Sequence, residues 1–324
     1  MRTGLMAAVV GLAGSLAMGS GVSAGSDTNA ALEYYRAWSM LGDSRDQVID
    51  TGGDKIVLSD GAEDTLNKVE DAISMLVHAS SMHDADWGVD FEDGPNTLIP
   101  HLGSMRHSAR LMAAAALMHA EEGELDRAAA CVAALHRIGV HSASGDTLIG
   151  SLVGIAIGNL GAELTDQMID DGMISRDGAR VILDAIQTDG TSDRYRMRDA
   201  ILGEWRMIAE FLLSKAPERD AGKWLLETMQ MDVDDDVTRA IAGMEKSAMM
   251  REMGGWSAYY SDMLGAWDAG DRSRMNGVVE RLKDGEYGKL TFVMAASLTR
   301  AFESTRQSEA GLDALIERLE EIAD

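Results

Sequence analysis

The chain has 324 residues, 46% of them hydrophobic, with 29 Lys and Arg against 54 Asp and Glu for a formal charge of −25. With 34 Gly, 3 Pro and a single Cys, this composition excludes a disordered chain, a disulfide scaffold and a collagen-like fibre. The charge excludes a basic nucleic-acid binder and favours cations and basic polymers as partners.

The N-terminus reads as an export signal over residues 1–24. Arg2 supplies the charged start, Leu5 to Met18 the apolar stretch, and Val22-Ser23-Ala24 the small residues before a cleavage at Gly25. The stretch is shorter than the ~20 residues of a spanning helix. These features predict an exported protein, periplasmic or extracellular, with 300 residues left after cleavage. Its lone thiol, Cys131, lies among Ala128, Ala129, Ala130 and Ala133 and reads as an inert buried group.

Few prolines, many Ala and Leu, and scarce β-branched runs predict helix nearly throughout. A first helix is expected over Asn29 to Leu41, then a Gly- and Asp-rich connector to Asp60 that contains Ile56-Val57-Leu58. Asp60 with Glu63 fits an acidic capping box opening one helix to about Met82, its apolar residues Leu66, Val69, Ile73 and Leu76 recurring at helical spacing. An acidic loop, Asp84 to Asn96, leads to a long helix from Thr97 with Pro100 in its first turn, and a second from Leu125 to about Gly139.

Leu148 to Ala162 is the most apolar segment, with Gly150, Gly154, Gly158 and Gly161 at small-xxx-small spacing. At 15 residues it is too short to span a bilayer and is predicted to be the central core helix, so no transmembrane span is expected after signal removal. Further helices are expected at 176–187, 193–215, 223–231, 237–253, 256–269, 273–283, 289–304 and 308–322. Pro217 with Glu218 to Gly222 marks a boundary between a helical domain, 25–216, and a C-terminal helical region, 217–324, packed on it.

Ala128, Val132 and Leu135 follow Gly123 at the same offsets as Met275, Val279 and Leu282 follow Gly270. This echo is the second-helix pattern of a tetratricopeptide-type hairpin. The expectation is an all-α fold of about ten helices in stacked hairpins, tetratricopeptide-like or α-solenoid-like.

Several stretches also resemble a known family. They are Asn29 to Tyr35, Asp86 to Pro95, Leu98 to Leu102, Glu122 to Leu125 and Thr147 to Ala156. On these the chain is similar, over roughly residues 29–187, to exported, helix-rich proteins of planctomycete-type bacteria that have no assigned activity. The resemblance implies an exported all-helical protein and brings no catalytic residues.

The acidic loop carries the candidate site. Asp84, Trp87, Phe91, Glu92 and Asp93 are ligand-binding candidates, because loops with aromatic anchors beside charges are where binding sits. The bland alternative is a solvated loop pinned by its two aromatics. Counting from Asp84, the sixth and twelfth positions of a calcium loop hold Val89 and Pro95, so no EF-hand is present. All seven histidines fall between His78 and His141, but no pair has the i,i+4 spacing of two ligands on one helix face, and no metal or other cofactor is expected.

Asp232, Asp234, Asp235 and Asp236 precede a helix and read as capping. Arg194, Arg196 and Arg198 follow a cap expected at Thr191 or Ser192 and read as internally paired. Gly265 and Gly270 have P-loop spacing, but Asp271 and Arg272 replace its Lys and Ser or Thr. The leading expectation is an exported, non-catalytic binding or scaffold protein of the cell envelope, its partner undefined. The alternative is a hydrolase or lyase in which Asp86 or Asp90 acts as general base, completed by His101 and Arg106.

Overall fold

The computed structural model describes residues 29–41, 48–187, 193–295 and 298–324. The expected export signal lies outside them, as do Thr191 and Ser192. The fold is all-α, with fourteen helices among the described residues and one two-stranded ribbon.

Helix α1 (Ala30–Leu41) leads to the ribbon, β1 (Ile49–Asp50) antiparallel to β2 (Val57–Leu58). Next come α2 (Ala62–Lys68) and α3 (Glu70–Ser80), the loop, and a 3-10 turn at Gly94–Asn96. Three long helices follow, α4 (His101–Glu121), α5 (Leu125–Ser142) and α6 (Leu148–Asp170), then α7 (Arg176–Gln187) and α8 (Met197–Lys215). The C-terminal region holds α9 (Ala221–Thr228), α10 (Asp236–Ala242), α11 (Lys246–Asp268), α12 (Arg272–Lys283), α13 (Lys289–Met294) and α14 (Leu298–Ala323).

The core is centred on α4, α5 and α6. From Leu111 to Ala120 every residue of α4 is buried, which a helix apolar on all sides requires. The glycines of α6 serve close approach. A Cβ on Gly139 of α5 would stand 3.0 Å from the Gly154 carbonyl oxygen, and one on Gly158 would collide with the Tyr195 hydroxyl. Two backbones and a tyrosine thus occupy the room that side chains would need. α6 runs to Asp170 rather than stopping at Ala162, its polar end held by Arg318, whose guanidinium lies 2.7 Å from Asp166 and also pairs with Asp170. At 23 residues it is long and apolar enough to cross a bilayer, but 61% of its most apolar window is buried here. α14 returns across the chain to lie on α6 and α7, while α11 packs on α8.

Other boundaries also differ from expectation. The helix expected over 60–82 breaks at Val69, and α2 is capped by Gly61 in a left-handed conformation, not by the Asp60 side chain. The Ala62 amide donates instead to the Ser59 carbonyl at 3.0 Å. α11 continues through Gly254 and Gly255, where a break was expected, because a Cβ at Gly255 would collide with the Tyr287 carbonyl. The break falls instead at Gly243–Met244, where the Met244 carbonyl accepts from the Gly222 amide at 3.0 Å.

The two glycines that open the echo, Gly123 and Gly270, end their helices in the same way. Both glycines are left-handed, and the next residue's amide reaches back five residues, Glu124 to His119 at 2.7 Å and Asp271 to Ala266 at 2.9 Å. The same bond closes α6, α9 and α12, so it marks helix ends in general.

Candidate functional site

The loop between α3 and the 3-10 turn is fastened at several points. The Asn29 side chain donates to the Asp86 carbonyl at 2.7 Å and accepts from the Asp86 amide at 2.9 Å. Trp87 is the main anchor, only 8% exposed. Its indole stacks on His101 with centroids 4.3 Å apart and planes 3° apart, and on Trp38 at 5.8 Å and 7°. Its Nε1–H donates to the His141 carbonyl at 2.9 Å. Tyr34 completes the cluster, its hydroxyl 2.9 Å from His141 Nδ1.

This setting is apolar. Burial lowers the His101 pKa to about 4, so the ring is neutral at pH 7, and pushes the Tyr34 phenol well above its ordinary value. Farther along, Gly94 adopts positive φ where the chain presses on Phe211 of α8, and a Cβ there would collide with that ring.

The loop carboxylates are exposed, and two of them hold the loop's own shape. Asp86 accepts from the Gly88 amide and Asp90 from the Glu92 amide, both at 2.9 Å. Asp84, Glu92 and Asp93 are exposed, and His83 Nδ1 lies 3.0 Å from Asp84. Arg106 is exposed on α4 while His101 is buried beneath Trp87. The structure therefore does not bring Asp86, Asp90, His101 and Arg106 into one pocket.

It does make a hollow of about 230 Å³ between the loop and α8, lined by Asp86, Trp87, Phe91, Asp146, Arg206 and Glu210 among others. A second, more open groove of about 470 Å³ shares Phe91 and Glu210 and adds Asp90, Glu92, Phe211 and Lys215. Asp146 is paired with Arg196 at 2.9 Å. Sequence reasoning missed the far wall, Arg206, Glu210 and Asp146. The i,i+4 spacing of Arg206 and Glu210 shows that they share a helix face, but nothing local says what that face meets.

The remaining groups have structural partners. His136 is buried with Nε2 3.2 Å from the Thr165 hydroxyl, and burial lowers its pKa to about 3. Arg194 donates to the Ile186 and Ala185 carbonyls at the end of α7, and Arg198 pairs with Asp268 at 2.9 Å. Asp235 caps α10 by accepting from the Thr238 amide at 2.7 Å, a bond that holds its carboxyl below the usual range. Burial raises the Cys131 thiol to about 12, so it carries no thiolate at neutral pH.

At the opposite end of α4, His119, Glu122 and Glu124 bring potential metal-ligand atoms within 4.8 Å of one another, the one such group among the described residues. Set against protein-family models, curated proteins and solved structures, the chain matches none.

Proposed function

We propose that this is an exported, non-catalytic binding protein of the cell envelope, whose hollow between the acidic loop and α8 takes a ligand with positive charge and an apolar part. One observation carries the reading. Trp87, wedged against His101 and hydrogen-bonded to His141, holds an acidic loop over a cavity with one aromatic wall. Of the charged side chains on the two hollows, Asp86, Asp90, Glu92, Asp146 and Glu210 outweigh Arg206 and Lys215. Phe91 and Phe211 supply apolar surface beside them.

The same geometry withholds support from the hydrolase or lyase reading. A general base needs a partner within about 3 Å, or through one water. Here Asp86 and Asp90 bond their own loop amides, and His101 Nδ1 is buried without any hydrogen-bond partner. The burial of most of α6 in the core supports a protein without a membrane span, as does a negative field that repels anionic lipid.

The test is calorimetric titration of the mature protein with a lysine-rich peptide carrying aromatic residues and with its Glu-substituted counterpart. Expected is saturable, salt-weakened binding of the basic peptide alone, reduced in Glu210→Gln and Phe91→Ala. Equal binding by both variants and wild type, or preference for the acidic peptide, overturns the proposal. N-terminal sequencing of protein recovered outside the cytoplasm tests export, with Gly25 as the expected first residue.

A further inference from the structure

We infer that the turn between α4 and α5 is a divalent transition-metal site of the Zn²⁺ type, with His119, Glu122 and Glu124 as its protein ligands. α4 is 21 residues long, and at about 1.5 Å per residue this turn lies roughly 27 Å along it from His101, so the site is independent of the ligand hollow.

The site follows from how the helix ends. Glu122 is the C-cap of α4, Gly123 has φ of 79°, and Glu124 is the N-cap of α5. The bond from the Glu124 amide to the His119 carbonyl, 2.7 Å, folds the turn back on itself. Both carboxylates are thereby brought over the same imidazole. Glu124 Oε2 lies 3.2 Å from His119 Nδ1 and Glu122 Oε2 lies 3.7 Å from it.

Two features point to a cation. First, two carboxylates converge at the carbonyl end of a helix, where negative potential accumulates and a positive ion is favoured. Second, His119 is 4% exposed and its Nδ1 makes no hydrogen bond, although both carboxylates are near. An ion bridging this nitrogen and the two carboxylates would give the nitrogen the partner it lacks. In a tetrahedral site with bonds of about 2.0–2.2 Å, neighbouring ligand atoms stand about 3.3–3.6 Å apart. The observed 3.2 and 3.7 Å bracket that spacing.

The surroundings complete the site. Arg127 donates to Glu124 Oε2 and to Glu70 Oε1, each at 2.8 Å, so the oxygen nearest the imidazole is positioned by the guanidinium and keeps a second lone pair for the ion. With Glu70 set against Arg127, the Glu122 and Glu124 carboxylates supply the negative charge that a 2+ ion requires. Glu122 and Glu124 are exposed, which gives an ion a path in and leaves a fourth position to water. Sequence reasoning looked for paired histidines at i,i+4; here one histidine is completed by glutamates at i+3 and i+5.

The test is calorimetric Zn²⁺ titration of the mature protein after chelator treatment and dialysis. Expected is one saturable equivalent, weakened by roughly tenfold or more in His119→Gln and in Glu122→Gln. His78→Ala, an exposed control, should not change it. A Zn²⁺-dependent rise in Tm should vanish with the same ligand variants. No saturable uptake by wild type overturns the inference, and so does unchanged affinity in Glu122→Gln. That side chain is exposed, so its loss leaves the fold intact even if His119→Gln unfolds.

Discussion

The two ends of α4 each carry a nearly buried histidine, His101 at 2% exposure and His119 at 4%. At one end the ring lies flat against Trp87, and burial lowers its pKa to about 4. At the other the ring nitrogen faces Glu122 and Glu124. Equal burial on one helix therefore yields a neutral packing surface in one place and a ligand cluster in the other. What decides is the neighbour's chemistry: an indole offers dispersion and excludes water, whereas carboxylates offer lone pairs and charge.

The largest effect is expected at the aromatic end. Trp87→Ala removes a stacked indole and a hydrogen bond, and should cost about 3–5 kcal/mol in urea unfolding, with loss of peptide binding at the hollow. A cost below about 1 kcal/mol would mean that the loop is not anchored by this side chain.

The next effect is in pH. An unfolded chain protonates His101 near the ordinary 6.5, but the folded protein resists until about 4. The unfolded state thus binds more protons in that window, so stability is complete above about 6.5 and falls as pH drops toward 4. His136, lowered to about 3, adds a fall of the same sign that extends further into acid. His101→Gln should flatten the slope of Tm against pH between 6.5 and 4 without abolishing it, and should leave Zn²⁺ affinity at the other end unchanged.

Smaller again is Glu210→Gln, which should weaken the basic peptide by about 1 kcal/mol in titration while shifting Tm little, since the side chain is exposed. Smallest is Glu122→Gln without metal, expected within about 0.5 kcal/mol of wild type in urea unfolding. That contrast with Trp87→Ala measures how differently the two ends contribute to the fold in the absence of an ion.

Much of the helical framework was legible. α7 has the expected limits, and α1 begins one residue after them. Glycine was one source of error. Gly254-Gly255 suggested a break and proved to be the interior of α11, because glycine either ends a helix or lets another backbone approach, and the two look alike locally. In the candidate site, the loop and its aromatic pins were readable as an acidic run with Trp87 and Phe91. The stacking of His101 under Trp87 was not, since 14 positions separate them in sequence. Nor was the α8 wall, contributed more than 100 residues later by Arg206 and Glu210.

By itself the sequence determined helix as the dominant element, the turn chemistry at Gly123 and Gly270, and the charge of the surface. These depend on residues within a few positions of each other. Tertiary structure alone decided which glycines join backbones, which histidine meets an indole and which meets carboxylates, and which helix face closes the hollow. Such contacts form between segments far apart in the chain, where volume and charge must fit in three dimensions and no local period records the partner.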